Sequence, residues 1–282
     1  MARLELVALV TLLGLIGSFP TPQAALASAR EIRLDEWAGK PFAESRSYRL
    51  VLPEGQPPIT GLILALHGQG ATPAAHGRMI GLDALAEAAG VAVAYPAALG
   101  KPARWNHENC CVGPPLAWSE ADFLQAVVAD AQQRIGARVP VIAAGFSNGA
   151  MLLAAMQCER DLSWVAVILV GGAIFPAGCR RNGSSPLTVF HGSEDPIIPY
   201  ATVTAGFATL CQLRGCQEAA EVRLSASTAC RSYRVDKNLM KFCTITTGGH
   251  SWPGGADIPQ LGRTIHDFDL SAWLVQQFHR GK

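Results

Sequence analysis

Charged side chains are scarce in this sequence, and neither sign predominates. Lys, Arg, Asp and Glu make up 16% of the 282 residues, and the formal net charge is +1. A nucleic-acid-binding protein needs a basic face, so we predict no nucleic-acid partner. No pair of Cys-x-x-Cys motifs is present either, so we expect no structural zinc site.

A membrane-length apolar run is absent as well. The apolar stretch from Leu6 to Ile16 is shorter than the roughly 20 residues that a membrane span needs. Arg3 precedes this stretch, two prolines follow it, and Ala27-Ser28-Ala29 is typical of a cleavage site. We predict a signal peptide over residues 1–29 and a single domain over residues 30–282. The mature protein is then secreted or periplasmic and has no membrane contact. An uncleaved anchor is the alternative.

All eight cysteines lie beyond this segment. An even number of cysteines in an exported chain predicts disulfides, although eight cysteines permit 105 pairings. The segments Ala229 to Val235 and Met240 to Thr246 have the pattern of a hairpin that places Cys230 opposite Cys243, and we predict this bond. The alternatives connect the hairpin to another cysteine, Cys211 or Cys216. The remaining cysteines are Cys110, Cys111, Cys158 and Cys179.

The stretch from Val141 to Leu152 has the strand–turn–helix pattern that presents a serine nucleophile. It contains Gly145-Phe-Ser147-Asn-Gly149, followed by helix-forming residues. The serine of this motif lies in a tight turn, where side chains at the two flanking positions would collide. The following helix directs backbone N–H groups at an oxyanion. We therefore predict Ser147 as the nucleophile and the N–H of Asn148 as an oxyanion donor. An ordinary turn that opens a helix is the alternative.

Buried apolar strands alternate with helical segments along the chain, a pattern that predicts an α/β fold with a mostly parallel sheet and helices on both faces. In the segment from Arg46 to Leu52, Tyr48, Leu50 and Leu52 alternate with Arg49 and Val51 on the opposite side. We interpret this segment as a first strand at the edge of the sheet. Helix-start signals occur at Thr72 and Ser119, and helix-end signals at Gly90 and Gly136. The apolar strands are Gly61–Leu66, Val91–Tyr95, Val139–Ala144, Trp164–Val170 and Leu187–Phe190.

Two loops that follow strands supply the remaining members of a catalytic triad. Asp195 lies in His191-Gly-Ser-Glu-Asp-Pro, with Glu194 as its nearest rival, and His250 lies in a glycine-rich loop. We predict Asp195 as the acid and His250 as the base. The alternatives are an Asx turn and a solvent-exposed loop histidine. The order serine, acid, histidine is that of the α/β-hydrolase fold.

Further residues are predicted to surround the reacting ester. The sequence His67-Gly-Gln69-Gly follows a buried strand directly, and we predict the N–H of Gln69 as the second oxyanion donor, with a simple turn as the alternative. His67 and His191 are interpreted as residues that brace their loops. Residues 97–117 form a long loop typical of a binding wall. We predict Trp105 in this loop and Trp252 as substrate contacts. The alternatives are a surface excursion for the loop and simple packing for Trp252.

These motifs together resemble the exported hydrolases similar to polyhydroxybutyrate depolymerases and to feruloyl or acetylxylan esterases. The resemblance covers residues 46–282 and rests on Leu-His-Gly-Gln-Gly, Gly-Phe-Ser-Asn-Gly-Ala-Met, His-Gly-Ser-Glu-Asp-Pro-Ile-Ile-Pro and Gly-Gly-His-Ser-Trp-Pro-Gly. It implies hydrolysis of carboxylic esters with no metal and no organic cofactor. Gln69 stands where such sequences often have cysteine.

The sequence therefore predicts an exported serine carboxylesterase that hydrolyses poly- or oligo(3-hydroxybutyrate)-type esters through an acyl-enzyme. A feruloyl or acetylxylan esterase that acts on plant cell-wall esters is the alternative, and a peptidase is a more distant one. A catalytically silent hydrolase fold used for binding is an alternative from another class.

Overall fold

The computed structural model describes residues 28–37, 40–55, 58–107, 119–159, 161–176, 179 and 185–279. Residues 1–27 of the expected signal peptide, and Cys110 and Cys111, lie outside these ranges. The strands are β1 (Ser28–Trp37), β2 (Lys40–Leu52), β3 (Gly61–Leu66), β4 (Val91–Pro96), β5 (Val141–Phe146), β6 (Ala166–Val170), β7 (Leu187–Gly192), β8 (Gln217–Arg223), β9 (Thr228–Val235) and β10 (Asn238–Ile245). The helices are α1 (Pro73–Ile80), α2 (Leu82–Ala89), α3 (Glu120–Ile135), α4 (Asn148–Glu159), α5 (Tyr200–Arg214) and α6 (Leu270–Gln276).

The ten described strands form one sheet in the order β1-β2-β4-β3-β5-β6-β7-β10-β9-β8. The six strands from β4 to β10 in this order are parallel, and antiparallel strands extend the sheet at both edges. Strands β3, β4, β5 and β7 are buried along their whole length, as expected of strands covered on both faces. The predicted α/β-hydrolase fold is confirmed.

The two faces of the sheet bury separate hydrophobic cores, because successive side chains of a strand point to opposite sides. In β3, Leu62 and Leu64 belong to the core that includes apolar residues of α3, α4 and α5. Ile63 and Ala65 of the same strand belong to the core that includes residues of α1, α2 and α6. The described helices therefore cover both faces. None of them has the length and apolar character needed to cross a membrane.

The segment from Arg46 to Leu52 is a strand, as predicted, but it is neither the first strand nor at the edge of the sheet. This segment is the second half of β2, which pairs with β4 on one side and with β1 on the other. The strand β1 alternates apolar and charged residues: Ile32 and Leu34 are buried, whereas Glu31 and Arg33 are exposed. An antiparallel strand at the edge of the sheet tolerates this alternation because only one of its faces meets the core.

The predicted helix-start and helix-end residues are confirmed, but they bound three helices instead of two. Thr72 and Ser119 accept hydrogen bonds from the backbone as N-caps of α1 and α3, and Gly90 and Gly136 end α2 and α3 in the left-handed conformation. The segment between Thr72 and Gly90 contains two helices instead of one. Gly81, with φ of 63°, separates them and serves both as the C-cap of α1 and as the N-cap of α2.

Three disulfides lie within the described residues. Cys230 and Cys243 face each other in the β9–β10 register and are bonded, which confirms the predicted pair. The alternatives for this hairpin are wrong, because Cys211 and Cys216 bond each other across the end of α5. The third bond, between Cys158 and Cys179, connects α4 to the loop before β7.

A buried ion pair holds β2 against α3. Arg46 and Glu120 are each 4% exposed, and Nη2 of Arg46 lies 2.7 Å from Oε2 of Glu120. The guanidinium of Arg46 also lies 3.8 Å from the ring centroid of Phe123. The second carboxylate oxygen of Glu120 accepts a hydrogen bond from the backbone N–H of Asn106. The pair thus joins the outer part of the sheet, α3 and the loop after β4.

Glu120→Ala is expected to lower the free energy of unfolding by about 3–5 kcal/mol, because it leaves the Arg46 guanidinium buried without a counter-charge. Arg134→Ala is the control. Arg134 pairs with Asp130 on the surface of α3, where its side chain is 44% exposed, and the expected loss is below about 1 kcal/mol. Urea unfolding of both variants measures the difference, and equal losses would contradict a structural role for the buried pair.

Candidate active site

Ser147 lies in the turn between β5 and α4 and adopts a left-handed backbone conformation with φ of 53°. A Cβ atom on Gly145 would lie 2.6 Å from the carbonyl carbon of Gly149, and one on Gly149 would lie 2.7 Å from the carbonyl oxygen of His67. Such contacts are too short for any side chain, which explains the two glycines of the motif. The backbone N–H of Ser147 donates to the carbonyl of Val170 on the neighbouring strand, at 2.8 Å.

The structure brings Ser147, Asp195 and His250 together in one hydrogen-bonded row. Nε2 of His250 lies 2.9 Å from Oγ of Ser147, and Nδ1 lies 2.8 Å from Oδ2 of Asp195. Asp195 is 8% exposed and His250 is 2% exposed, whereas Ser147 is half-buried and lines an open cleft. Three residues from the ends of three different strands therefore meet with the spacing that a nucleophile, a base and an acid require.

The carboxylate of Asp195 is held in its ionised form. Burial raises the pKa of Asp195, but the hydrogen bond from His250 and those from the backbone N–H groups of Ile198 and Ile197 outweigh it, so the pKa lies below its usual value. Both backbone bonds reach Oδ1 at 2.8 Å. Because a carboxylate only accepts hydrogen bonds, Nδ1 of His250 carries the proton, and Nε2 is left to accept one from the serine hydroxyl.

The loops that carry the acid and the histidine are in direct backbone contact. A Cβ atom on Gly192 would lie 2.2 Å from the carbonyl oxygen of Gly248. The N–H of Glu194 donates to the same oxygen, and the N–H of His250 donates to the carbonyl of Leu261. The side chain of Glu194, the rival acid, is exposed and outside the hydrogen-bonded row.

His67 and His191 occupy bracing positions, as the sequence suggested. Nε2 of His67 accepts from the N–H of Ala98, and Nδ1 contacts the carbonyl of its neighbour Gly68. Nε2 of His191 donates to the carbonyl of Ile198 at 2.9 Å, beside Asp195. Burial lowers the pKa of both histidines, so both are neutral at neutral pH.

The two segments predicted to carry oxyanion donors border the serine. Asn148 is the first residue of α4, and Gln69 lies in the loop between β3 and α1; both line the cleft with Ser147. A Cβ atom on Gly68 would lie 3.2 Å from Cβ of Ser147, so the loop that contains Gln69 runs directly past the nucleophile. The positions of these segments suit two amide donors beside a carbonyl bound to Ser147.

Trp105 does not occupy the position expected of a substrate contact. Its side chain is 0% exposed, and its ring N–H donates to the carbonyl of His67 at 2.9 Å. Its backbone N–H donates to Oδ1 of Asn148 at 2.6 Å, and its carbonyl accepts from Nδ2 of the same side chain at 3.2 Å. Trp105 therefore packs beneath the cleft and joins both segments that border the oxyanion position.

Trp252 is likewise buried, at 2% exposure, and is absent from the cleft lining. Its ring N–H donates to Oγ of Ser271, which in turn donates to the carbonyl of Ile80. It thus fastens the loop of His250 to α6 and to the end of α1. The alternative of simple packing for Trp252 fits this buried position, although the hydroxyl of Ser271 that it bonds gave no signal in the sequence.

The cleft above Ser147 has a volume of about 540 Å³ and a mainly apolar lining. A second cleft, of about 550 Å³, lies between α5 and the β9–β10 hairpin and contains no member of the row. Within the described part of the chain, no group of three or more metal-ligating side chains occurs. Residues of the cleft above Ser147 that the sequence did not single out are Ala71, His76, Met79, Phe146, Met151, Ile197, Ile198, Ile258 and Leu261.

Comparison with known proteins identifies the family. No protein-family model matches the chain. A protein described as putative esterase NocK, from Nocardia uniformis subsp. tsuyamanensis, is 30% identical over an alignment that covers 82% of this chain and 75% of that protein. The chain belongs to this esterase family of α/β-hydrolases. Feruloyl esterase C of Emericella nidulans is 29% identical, with coverage of 77% of this chain and 78% of that protein.

A solved structure agrees with this assignment at the level of the fold. The acetyl xylan esterase from Aspergillus awamori superposes with a TM-score of 0.62 and covers 79% of this chain and 94% of its own. The two sequences are 13% identical, so the likeness concerns the fold alone. An α/β-hydrolase that carries a hydrogen-bonded Ser–His–Asp row within an esterase family has the parts that ester hydrolysis needs.

Acid is expected to destabilise the protein because buried histidines stay neutral while the unfolded chain takes up protons. Burial lowers the pKa of His76 from 6.5 to about 3. The stability that neutral His76 gives the folded protein is therefore lost as pH falls from 6.5 towards 3. Between pH 7 and pH 5 this one residue accounts for about 2 kcal/mol of lost unfolding free energy. Urea unfolding at both pH values should show a smaller loss for His76→Phe than for the unaltered protein, and equal losses would contradict this account.

Proposed function

We propose that the protein is an exported serine carboxylesterase that works through an acyl-enzyme. The observation that carries the proposal is the continuous row from Asp195 through His250 to Ser147, with hydrogen bonds of 2.8 and 2.9 Å. Serine alone is a weak nucleophile at neutral pH, and an adjacent oriented base is what activates it. The half-buried hydroxyl of Ser147 lines an apolar cleft, through which an ester carbonyl reaches it.

The geometry supports the following division of roles. Oγ of Ser147 attacks the ester carbonyl while Nε2 of His250 takes its proton and then returns it to the leaving alcohol. Asp195 holds the imidazole in the required tautomer and stabilises its positive charge. The N–H groups of Gln69 and Asn148 stabilise the oxyanion, by about 3–4 kcal/mol for each donor. Water then attacks the acyl-enzyme by the same route and releases the acid.

For the substrate we propose esters of the oligo(3-hydroxybutyrate) type. The alternative is a feruloyl or acetylxylan ester of the plant cell wall, which the name of the relative feruloyl esterase C favours. Product analysis after incubation with 3-hydroxybutyrate oligomers, methyl ferulate and acetylated xylan separates the three. Preferential release of ferulate or acetate would replace our proposal with the corresponding alternative.

Ser147→Ala is expected to reduce kcat for p-nitrophenyl butyrate by at least about 10⁴-fold, because the described lining of the cleft contains no other hydroxyl or thiol that could form the acyl-enzyme. Labelling with a fluorophosphonate probe should modify Ser147 in the unaltered protein and nothing in the variant. Ser225→Ala, in the turn between β8 and β9, is the control and should keep both activity and labelling.

The same experiment tests the binding-protein alternative. A folded, unaltered protein that neither hydrolyses the ester nor accepts the probe would indicate a catalytically silent hydrolase fold. Rates near those of the unaltered protein in Ser147→Ala would instead remove this serine from the mechanism. Circular dichroism of each variant establishes that the compared proteins are folded.

We also propose that residues 1–29 direct export and are removed. The fungal feruloyl esterase relative and the three disulfides of the described residues support an oxidising destination. Cleavage after Ala29 leaves β1 intact from Arg30, whose partner in β2 is Leu50. N-terminal sequencing of secreted protein should begin at Arg30, and retention of the leader in the membrane fraction would favour the uncleaved anchor.

A further inference from the structure

His76 is a polar residue of the cleft that the catalytic row does not use. It lies on α1, belongs to the lining of the cleft above Ser147 and is 1% exposed. Neither of its ring nitrogens has a hydrogen-bond partner among the residues that the structure describes. Burial of an unpaired polar group costs free energy, and such groups in native proteins call for a specific explanation.

The surroundings of His76 would suit an apolar ring. Phe146 stacks on it with centroids 6.5 Å apart, and Tyr95 and Trp252 meet it edge-on at 6.2 and 5.9 Å. A phenylalanine at position 76 would pack among these aromatic rings without leaving a donor and an acceptor unpaired. Burial also lowers the pKa of the imidazole to about 3, so at neutral pH it offers one donor and one acceptor.

The position of His76 relative to the row indicates which part of a substrate it meets. The ring of Phe146 neighbours both histidines: its centroid lies 6.5 Å from that of His76 and 5.1 Å from that of His250. The leaving alcohol takes its proton from Nε2 of His250 and therefore lies beside that ring. The acyl part then occupies the rest of the cleft, whose lining includes His76. Met79, one turn further along α1, also lines the cleft, and its flexible side chain can move aside.

We propose that His76 is a specificity-determining residue that hydrogen-bonds a hydroxyl group carried by the acyl part of the substrate. The cleft would thus select hydroxyacyl esters, aliphatic or phenolic, over plain acyl esters such as acetates. This inference rests on the proposed function, because it concerns the acyl group that Ser147 would accept. A hydroxyl is the matching partner for a neutral imidazole, since each group both donates and accepts.

Two matched substrate pairs test the proposal, each pair differing by one hydroxyl and sharing its leaving group. They are p-nitrophenyl butyrate with p-nitrophenyl 3-hydroxybutyrate, and p-nitrophenyl cinnamate with p-nitrophenyl 4-hydroxycinnamate. The readout is the ratio of kcat/KM, hydroxylated over plain. His76→Phe should lower this ratio at least about 10-fold in one pair or both, as expected when a site built to bond a hydroxyl loses its partner.

Three comparisons keep the result interpretable. His76→Gln retains a donor and an acceptor and should preserve part of the preference, and it serves as the test if His76→Phe fails to fold. Gln157→Met is the matched control: Gln157 is another buried residue with an unpaired side chain, on α4 and outside the cleft lining, and its replacement should leave the ratios unchanged. A third pair, propyl butyrate and 2-hydroxyethyl butyrate, carries the hydroxyl on the alcohol part and shows whether His76 recognises a hydroxyl there instead.

The outcomes separate this inference from the proposed function. Hydrolysis of the plain esters, with the same hydroxylated-to-plain ratio in the unaltered protein and in both His76 variants, would overturn this inference alone. A change confined to the alcohol-side pair would overturn the acyl assignment. No hydrolysis of any ester by the unaltered protein would overturn the proposed function and this inference with it.

Discussion

Close packing of backbone around Ser147 is the constraint on which the site depends. A Cβ atom on Gly172 would lie 2.2 Å from the carbonyl oxygen of Ser147, and one on Gly192 would lie 2.2 Å from that of Gly248. The ends of β5, β6, β7 and β10 thus meet with no space for side chains between them. Hydrogen bonds of 2.8 and 2.9 Å between three distant residues need this rigidity, because a small shift of one loop would break the row.

The side of the cleft that Gln69 and Asn148 line is held by a different kind of contact. There, the side chain of Asn148 and the backbone of Trp105 exchange two hydrogen bonds, and the ring of Trp105 donates to the carbonyl of His67. A single buried tryptophan therefore connects the start of α4 to the loop after β3. Since amide donors act through their orientation, this residue contributes to the geometry of the site although it has no contact with the cleft.

The sequence predicted those features that leave a local signature. Buried parallel strands appear as continuous apolar runs, the tight turn at Ser147 requires glycines at fixed spacing, and the hairpin register places Cys230 opposite Cys243. The strand β1 escaped prediction because its exposed face is charged. The positions of Trp105 and Trp252 escaped it because the direction of a loop side chain depends on tertiary partners, here Asn148 and Ser271, that no local pattern reveals. His76 could not be singled out from the sequence, because the feature that distinguishes it is burial without a hydrogen-bond partner among the described residues. Burial is known only once the fold is known.

The proposed roles divide the cleft into a part for proton transfer and a part for selectivity. Asp195 and His250 follow β7 and β10, whereas the loop of Gln69 and α1 follow β3, on the other side of the strand that precedes Ser147. The ring of Phe146 neighbours both His76 and His250, with centroid distances of 6.5 and 5.1 Å. Under the proposed role of His76, a substitution on α1 alters which acyl group is favoured and leaves in place the backbone contacts that hold the row. This separation explains how one arrangement of Ser, His and Asp can serve esterases with different acyl preferences.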